Sequence, residues 1–454
     1  MIRSLSAAAI AAVALASGAT TTTVRVIAAG SGCTLSRTRA PLGRVRFVVE
    51  NRGRAVHQFS IDGRKTAVLQ GGGTATLTVK LTTTASLHYS CAAPGRVGAG
   101  LKGVFRAGEA PQPAAPAVPA LTEIASGLDP LTDVAVAPDD PDRVFAVEQN
   151  GQVVMLDGGS EQVVADFGGY IRDDGENGLL AMTFSPTFAQ DRTAYFYFIA
   201  DSGSGDDTLV AATLNDDWTV DMGSLRWVLQ VDTPGANHRG GDIAFGPDGY
   251  LYVPIGDGDN GTYTVIGQYA QDTSSLLGGI ARVDPATGSV ELWAKGLRNP
   301  WRDYIDPKTG LYYIGDVGEN DQEEIDVVPL GRGGFNFGWP CVEGTEVHSD
   351  TSVQCPDPAQ LTPPALTYAH NGRCAVIAGV VVRDPRLASL DGSFLYSDLC
   401  DGELRTFTYE NGEATDERDL ELKVDQPTSF GEGPDGRVYV VTDGGAVYRL
   451  DPAP

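Results

Sequence analysis

Positive charge is in short supply in this chain: 33 Lys and Arg stand against 59 Asp and Glu, a formal net charge of −26. A polyanion would be repelled at long range, which argues against nucleic acid or an anionic membrane surface as a partner. Long apolar runs are also missing. The one at residues 7–16 is shorter than the ~20 residues a bilayer-spanning helix needs, so no membrane span is expected, and no Cys follows it that could carry a lipid. Charged residues make up only 20% of the 454, while Gly reaches 56 and Pro 27, a balance that disfavours a helical bundle and suits many short strands joined by turns. The expected class is all-β.

The opening "MIRSLSAAAIAAVALASGAT" has a basic start, a short apolar stretch and small residues, the pattern of a signal peptide over 1–19. Export to a periplasmic, cell-surface or extracellular location is the expectation. Six cysteines suit an oxidising compartment and three disulfides, although sequence alone does not fix the pairing. Proximity suggests Cys341–Cys355 and Cys374–Cys400, which leaves Cys33–Cys91.

Residues 108–120, "GEAPQPAAPAVPA", offer almost nothing to pack and read as a semi-rigid linker. It separates a small unit, 24–107, from a large one, 121–454. The large unit repeats itself, with related segments from 131, 179, 240, 301, 377 and 427. Each is an apolar strand, a Pro/Asp/Gly turn or longer loop, and a second strand ending in Gly, Asp or Asn. One such unit cannot bury both faces of its sheet, but six in a ring can, so a six-bladed β-propeller is expected.

The small unit alternates strand-like runs with turns: "RVRFVVENRG", "HQFSIDGRKT", "TATLTVKL" and "SLHYSCAAPGRVGAGLKGVF". This order resembles a cupredoxin, a small β-sandwich, over roughly residues 24–106. The resemblance places copper ligands at His57 and Cys91, but Arg96 and Leu101 stand where the family has its second His and its Met. Type-1 copper needs two imidazoles and a thiolate, so no copper is expected and Cys91 is read as a disulfide partner.

In "NHRGGDIAFGPDGYLYVPIGDGD", residues 237–259, the turn "GPDG" joins two strands that should run antiparallel. Such a hairpin returns its outer flanks to each other, making His238 and Asp257 neighbours. A carboxylate on one imidazole nitrogen makes the other a better proton acceptor, the arrangement of a general base. By the same geometry Glu176 and Asn177, then Arg298 and Asn299, precede the first strands of neighbouring blades, and "GDVGEN" at 315–320 follows a second strand. All should face one mouth of the central channel.

Here the motifs "ENGLLAMTFSPTF", "NHRGGDIAFGPDGYLYVPIGDGD", "GLRNPWRDYIDPKTGLYYIGDVGENDQEEID" and "FNFGWP" resemble those of the soluble pyrroloquinoline-quinone (PQQ)-dependent sugar (aldose) dehydrogenase family, in order over roughly 120–452. The resemblance implies a propeller that holds PQQ over its channel, often with calcium, and oxidises an aldose at the anomeric carbon for an unidentified electron acceptor. It implies His238 as base, Asp257 as its orienting partner, and Arg298 and Asn299 against the quinone oxygens. Glu176 and Asn237 fall on the substrate side, and the backbone carbonyls of Gly318 and Glu319 fall at calcium, near Glu323 and Glu324. The later blades depart from the pattern: Arg373 is the one obvious cation for the quinone's carboxylates, beside Asp398 and Asp401. Two other functions compete, a non-catalytic binding propeller for a carbohydrate or protein and a calcium-dependent hydrolase such as a lactonase. His348 and His370, on long loops, are assigned no role.

Overall fold

The computed structural model describes residues 21–29, 32–53, 55–92, 102–107, 118–202, 205–259, 267–348 and 353–453. The expected signal peptide at 1–19, residues 108–117 of the expected linker, and Arg96 and Leu101 lie outside the described residues. The chain divides into two compact units, Met1–Ala115 and Pro116–Pro454.

The first unit is a β-sandwich of one four-stranded and one five-stranded sheet. Strand Gly43–Asn51 shows why: Val45, Phe47 and Val49 alternate with exposed or half-buried residues, so one face is apolar. That face packs on Phe59 and Phe105 of the other sheet, with the rings of Phe47 and Phe105 5.2 Å apart, edge to face. Cys33 and Cys91 form a disulfide between strands Gly32–Leu35 and Ala85–Ala92, one from each sheet. The other cupredoxin-like position, His57, is buried with Nδ1 2.9 Å from the carbonyl of Ala55.

The second unit is a six-bladed β-propeller. Its innermost strands are Leu131–Val136, Leu179–Phe184, Ala244–Phe245, Pro300–Asp306, Val376–Val381 and Pro427–Glu432, one for each of blades one to six. Each leads a sheet of four antiparallel strands, to which blade three adds a short parallel fifth, and blade six takes its outermost strand, Pro119–Ala125, from the start of the unit, paired with Val447–Pro452. Pro119 and Ala120, read from sequence as the end of the linker, are already part of this strand. Pairing the unit's first strand with its last closes the ring, so the sheets leave no open end between blades six and one.

Position in the blade explains the residue pattern. Second strands are covered on both faces by neighbouring blades, so Leu251–Ile255 is buried at every position instead of alternating. Outermost strands meet water, and Glu413–Lys423 is mostly exposed and charged. At the centre lies Arg302, 1% exposed. Its nitrogens donate to the carbonyls of Thr132, Leu180, Gly241, Trp301 and Thr428, which belong to blades one, two, four and six and to the entry of blade three. A guanidinium has five N–H donors, and here they reach five carbonyl groups.

Between the third and fourth strands of blade four, Gln322–Pro329 and Leu366–Ala369, the chain makes a long excursion. It first pairs Phe335–Asn336 onto the outermost strand of blade three, Val290–Lys295. It then turns through Trp339 into the small hairpin Val342–Glu343/Glu346–Val347, stapled by Cys341–Cys355. The third disulfide, Cys374–Cys400, joins the entry of blade five to the turn after its second strand.

Candidate functional site

The mouth of the ring is built from loops that enter the innermost strands and loops that leave the second ones. His238 sits in the loop entering blade three and Asp257 just past Ile255, the end of the second strand. Close backbone contact is possible because residue 256 is Gly: a Cβ there would lie 1.9 Å from the carbonyl oxygen of His238. His238 itself has φ 55, a left-handed conformation uncommon for a non-glycine residue. It is held there by Glu176, whose Oε2 accepts its backbone N–H at 2.7 Å. Gly240, φ 65, continues the turn where a Cβ would lie 2.4 Å from the Pro254 carbonyl oxygen.

His238 Nδ1 lies 2.7 Å from Asp257 Oδ1, and both residues are buried. The second Asp257 oxygen accepts from the indole of Trp339 at 2.7 Å. A carboxylate at Nδ1 accepts the hydrogen bond of that N–H, keeps the proton on Nδ1 and leaves Nε2 as the acceptor nitrogen. Nε2 is 3.9 Å from Asp259 Oδ2.

His238 lines a cavity of about 480 Å³, whose wall also includes Glu176, Arg298, Asn299, Gly318 and Glu319. That volume is within the range of roughly 300–1,000 Å³ usual for small-molecule and cofactor sites. Arg298 Nη1 donates to the carbonyls of Val317 and Gly318, both at 2.9 Å, and its charge lies 5.6 Å from the Trp339 ring centre. Its Nε is buried and has no hydrogen-bond partner among the described residues. A buried donor without a partner is costly, so the guanidinium is suited to receive an oxygen of an anionic ligand. Asn299 accepts from Gly240 N at 3.0 Å and donates to Glu176 Oε2 at 3.3 Å, leaving one amide N–H uncommitted by these bonds.

Other residues expected at the mouth are placed differently. Asp257 is the neighbour of His238 that the sequence expected, behind the ring and off the cavity wall. Asn237 is off the wall, with its backbone N–H on the Asp259 carbonyl at 3.3 Å. Arg373 is also off the wall: Nε donates to Asp401 at 3.0 Å and the guanidinium stacks over Tyr368. Its neighbours Cys374 and Ala375 line the cavity there instead. At the expected calcium position, Gly318 already accepts Arg298 through its carbonyl, and its N–H donates to Glu323 Oε2 at 3.2 Å. Burial pushes the Glu323 carboxyl up to about 7, against the pull of the N–H groups of Val376 and Gly318. Burial likewise raises Asp316 to about 7, although it accepts the backbone N–H groups of Arg298 and Asn299.

Sequence reasoning missed several participants. Trp339 lies within "FNFGWP" but is 82 residues from Asp257, and nothing local signals their contact. Gln149, Gln426 and Asp443, from blades one and six, also line the wall. Their place at a blade mouth, after second strands or before first ones, was the available signal.

The chain is similar to several known proteins. It is 32% identical to the HIPL2 protein of Arabidopsis thaliana over 214 residues, 38% of this chain and 30% of that one. It is 27% identical to the aldose sugar dehydrogenase YliI of Escherichia coli over 184 residues, 37% of this chain and 47% of that one. The chain thus spans only part of these relatives' length. Among solved structures, the PQQ-bound aldose sugar dehydrogenase of Streptomyces coelicolor superposes with a TM-score of 0.60 at 22% identity, covering 74% of this chain and 99% of that one, a likeness of fold. The model of the family described as Glucose / Sorbosone dehydrogenase matches residues 128–449, most of the propeller, and the chain belongs to that family.

Proposed function

We propose that the propeller is a PQQ-dependent oxidoreductase that oxidises an aldose at its anomeric carbon to the lactone, and that the whole chain is exported. The observation that carries this reading is the His238 ring, held by Asp257 at 2.7 Å on one nitrogen and lining a cavity whose wall also includes Arg298. When bound, the quinone supplies the two-electron oxidant that takes the hydride from the sugar. Arg298, with its spare Nε donor, and Asn299, with a remaining amide N–H, would hold its carbonyl oxygens and favour negative charge on them. Calcium on the carbonyls of Gly318 and Glu319 would offset its carboxylates, since Arg298 shares the cavity wall with Glu176, Glu319 and Asp443.

The chain's own part is proton chemistry and positioning. His238 Nε2 accepts the proton of the anomeric hydroxyl, and Asp257 stabilises the resulting imidazolium without itself moving a proton. Trp339 holds the second Asp257 oxygen, so the carboxylate cannot turn away from the ring. Glu176 acts by fixing His238 and Asn299 in addition to facing substrate. Three disulfides suit an oxidising compartment, and with Cys91 bonded to Cys33 the sandwich has no thiolate there for copper.

The test is reconstitution of the purified chain with PQQ and calcium, followed by sugar-dependent reduction of an artificial electron acceptor. Turnover in wild type is expected. A second reading, a binding propeller without redox activity, is favoured by the acid-rich wall and by the salt bridge that draws Arg373 to Asp401. Absence of both turnover and spectroscopic PQQ binding supports that reading, whereas lactone hydrolysis without quinone supports a hydrolase.

A further inference from the structure

Behind the cavity wall, the loop that supplies Gly318 and Glu319 rests on a polar cluster the proposed reaction does not use. Four successive backbone N–H groups, those of Glu319, Asn320, Asp321 and Gln322, donate to a single oxygen, Oε1 of Glu343, at 2.8, 3.1, 2.9 and 3.1 Å. The other oxygen, Oε2, is buried and has no hydrogen-bond partner among the described residues, on a side chain only 3% exposed. Burial opposes charge on Glu343, but the four donors outweigh it and hold its pKa below the usual carboxylate range. The result is a fixed anionic oxygen that accepts no hydrogen bond among the described residues.

His348 Nε2 faces that oxygen at 3.6 Å, and Asp321 Oδ2 lies 3.4 Å from the same nitrogen. The three donor atoms lie within 4.8 Å of one another. These separations are long for direct hydrogen bonds. They are close to the ~3.3 Å between two donor atoms that each stand about 2.0–2.1 Å from a tetrahedral ion. The imidazole is held in place from behind: the His348 backbone N–H donates to the Cys341 carbonyl at 2.9 Å, and Cys341 is bonded to Cys355.

We propose that Asp321, Glu343 and His348 form a site for a divalent transition metal of the zinc type, with three protein donors and an outward position open to water. One imidazole nitrogen with two carboxylates is a donor set for zinc and its neighbours, whereas calcium takes six to eight oxygens. The ion ties the cystine-stapled hairpin to the 319–322 loop and so stiffens the wall where Glu319 meets the cavity. It stands whether or not the cavity holds a quinone.

The experiment uses the tag-free chain, stripped with chelator and kept in excess calcium so that oxygen-only sites are filled, and titrated with Zn²⁺ and with Co²⁺. One equivalent of each is expected, with a visible Co²⁺ ligand-field band and a rise in Tm on Zn²⁺ addition. His348→Gln and Asp321→Asn should each weaken binding by more than the roughly 10–100-fold cost of removing a group that only orients a ligand. His370→Gln, on a different loop, should leave it unchanged. Absence of a stoichiometric site in wild type, or equal affinity after His348→Gln, overturns the proposal. If His348→Gln lowers Tm in calcium alone, Asp321→Asn decides, because that side chain is 54% exposed and its loss leaves the fold intact.

Discussion

Blades three, four and five each close the second strand with an aspartate, and the three carboxylates are used differently. In blade four, Asp316 accepts the backbone N–H groups of Arg298 and Asn299, in the loop that enters the blade. In blade five, Asp398 accepts those of Cys374, Ala375 and Cys400, together with the hydroxyl of Tyr368. In blade three, Asp257 meets two side chains instead, the His238 ring and the Trp339 indole. A carboxylate at this place in a propeller hairpin is a structural cap by default. It becomes part of a chemical site when the entering loop presents an ionisable ring. The arginines repeat the contrast: Arg298 reaches the cavity with Nε unpartnered, while Arg373 bonds to Asp401 through its own Nε.

The largest test of this contrast removes the ring. His238→Ala is expected to lower sugar-dependent dye reduction by about 10²–10⁴-fold, the usual contribution of a positioned base. Asp257→Asn should cost a large fraction of that, because an amide at Nδ1 favours the wrong tautomer. Asp398→Asn should change stability and leave the pH profile of turnover where it was. Equal kinetic losses from Asp257→Asn and Asp398→Asn would end the distinction.

A smaller effect separates the arginines. Arg298→Gln should weaken PQQ binding roughly 10- to 100-fold, the worth of a charged hydrogen bond. Arg373→Gln should leave quinone affinity unchanged in a spectroscopic titration. A reversed order would mean that the Arg373–Asp401 pair opens on binding.

The smallest effect is one that the two edges share. Burial raises Asp316 on the blade-four side and Glu323, which accepts the Val376 N–H of blade five, to about 7 from ordinary values of 3.8 and 4.5. The folded protein therefore keeps protons that the unfolded chain releases. Their stabilising contribution is complete below about pH 4 and is lost as pH rises through about 7. Urea unfolding should show stability falling between about pH 4 and about pH 7, and Glu323→Gln should flatten the slope. A slope unchanged by that substitution would reject the assignment.

Much of this was legible in the residues. The propeller showed because each blade repeats the same strand, turn and strand, and the turn "GPDG" identified a hairpin whose flanks carry His238 and Asp257. What local pattern misses is contact between distant segments. Trp339 belongs to an excursion from blade four that folds onto blade three, and Arg302 reaches carbonyls up to 170 residues away in sequence. The long loops around Cys341 and Cys355 interrupt blade four before its last strand, an insertion that no repeat pattern marks. Arg373 was read as a cofactor ligand because it is the one cation near its blade's mouth, and sequence gives no measure of its distance from Asp401.

The order of residues alone determined an all-β chain, six repeats and the imidazole–carboxylate pair, because strand alternation and tight turns act over a few residues. Only the closed ring decided which polar groups share a cavity, which are consumed as caps and which remain unpartnered. Those outcomes depend on burial and on separations of about 3 Å between segments far apart in the chain, and a linear pattern does not contain them.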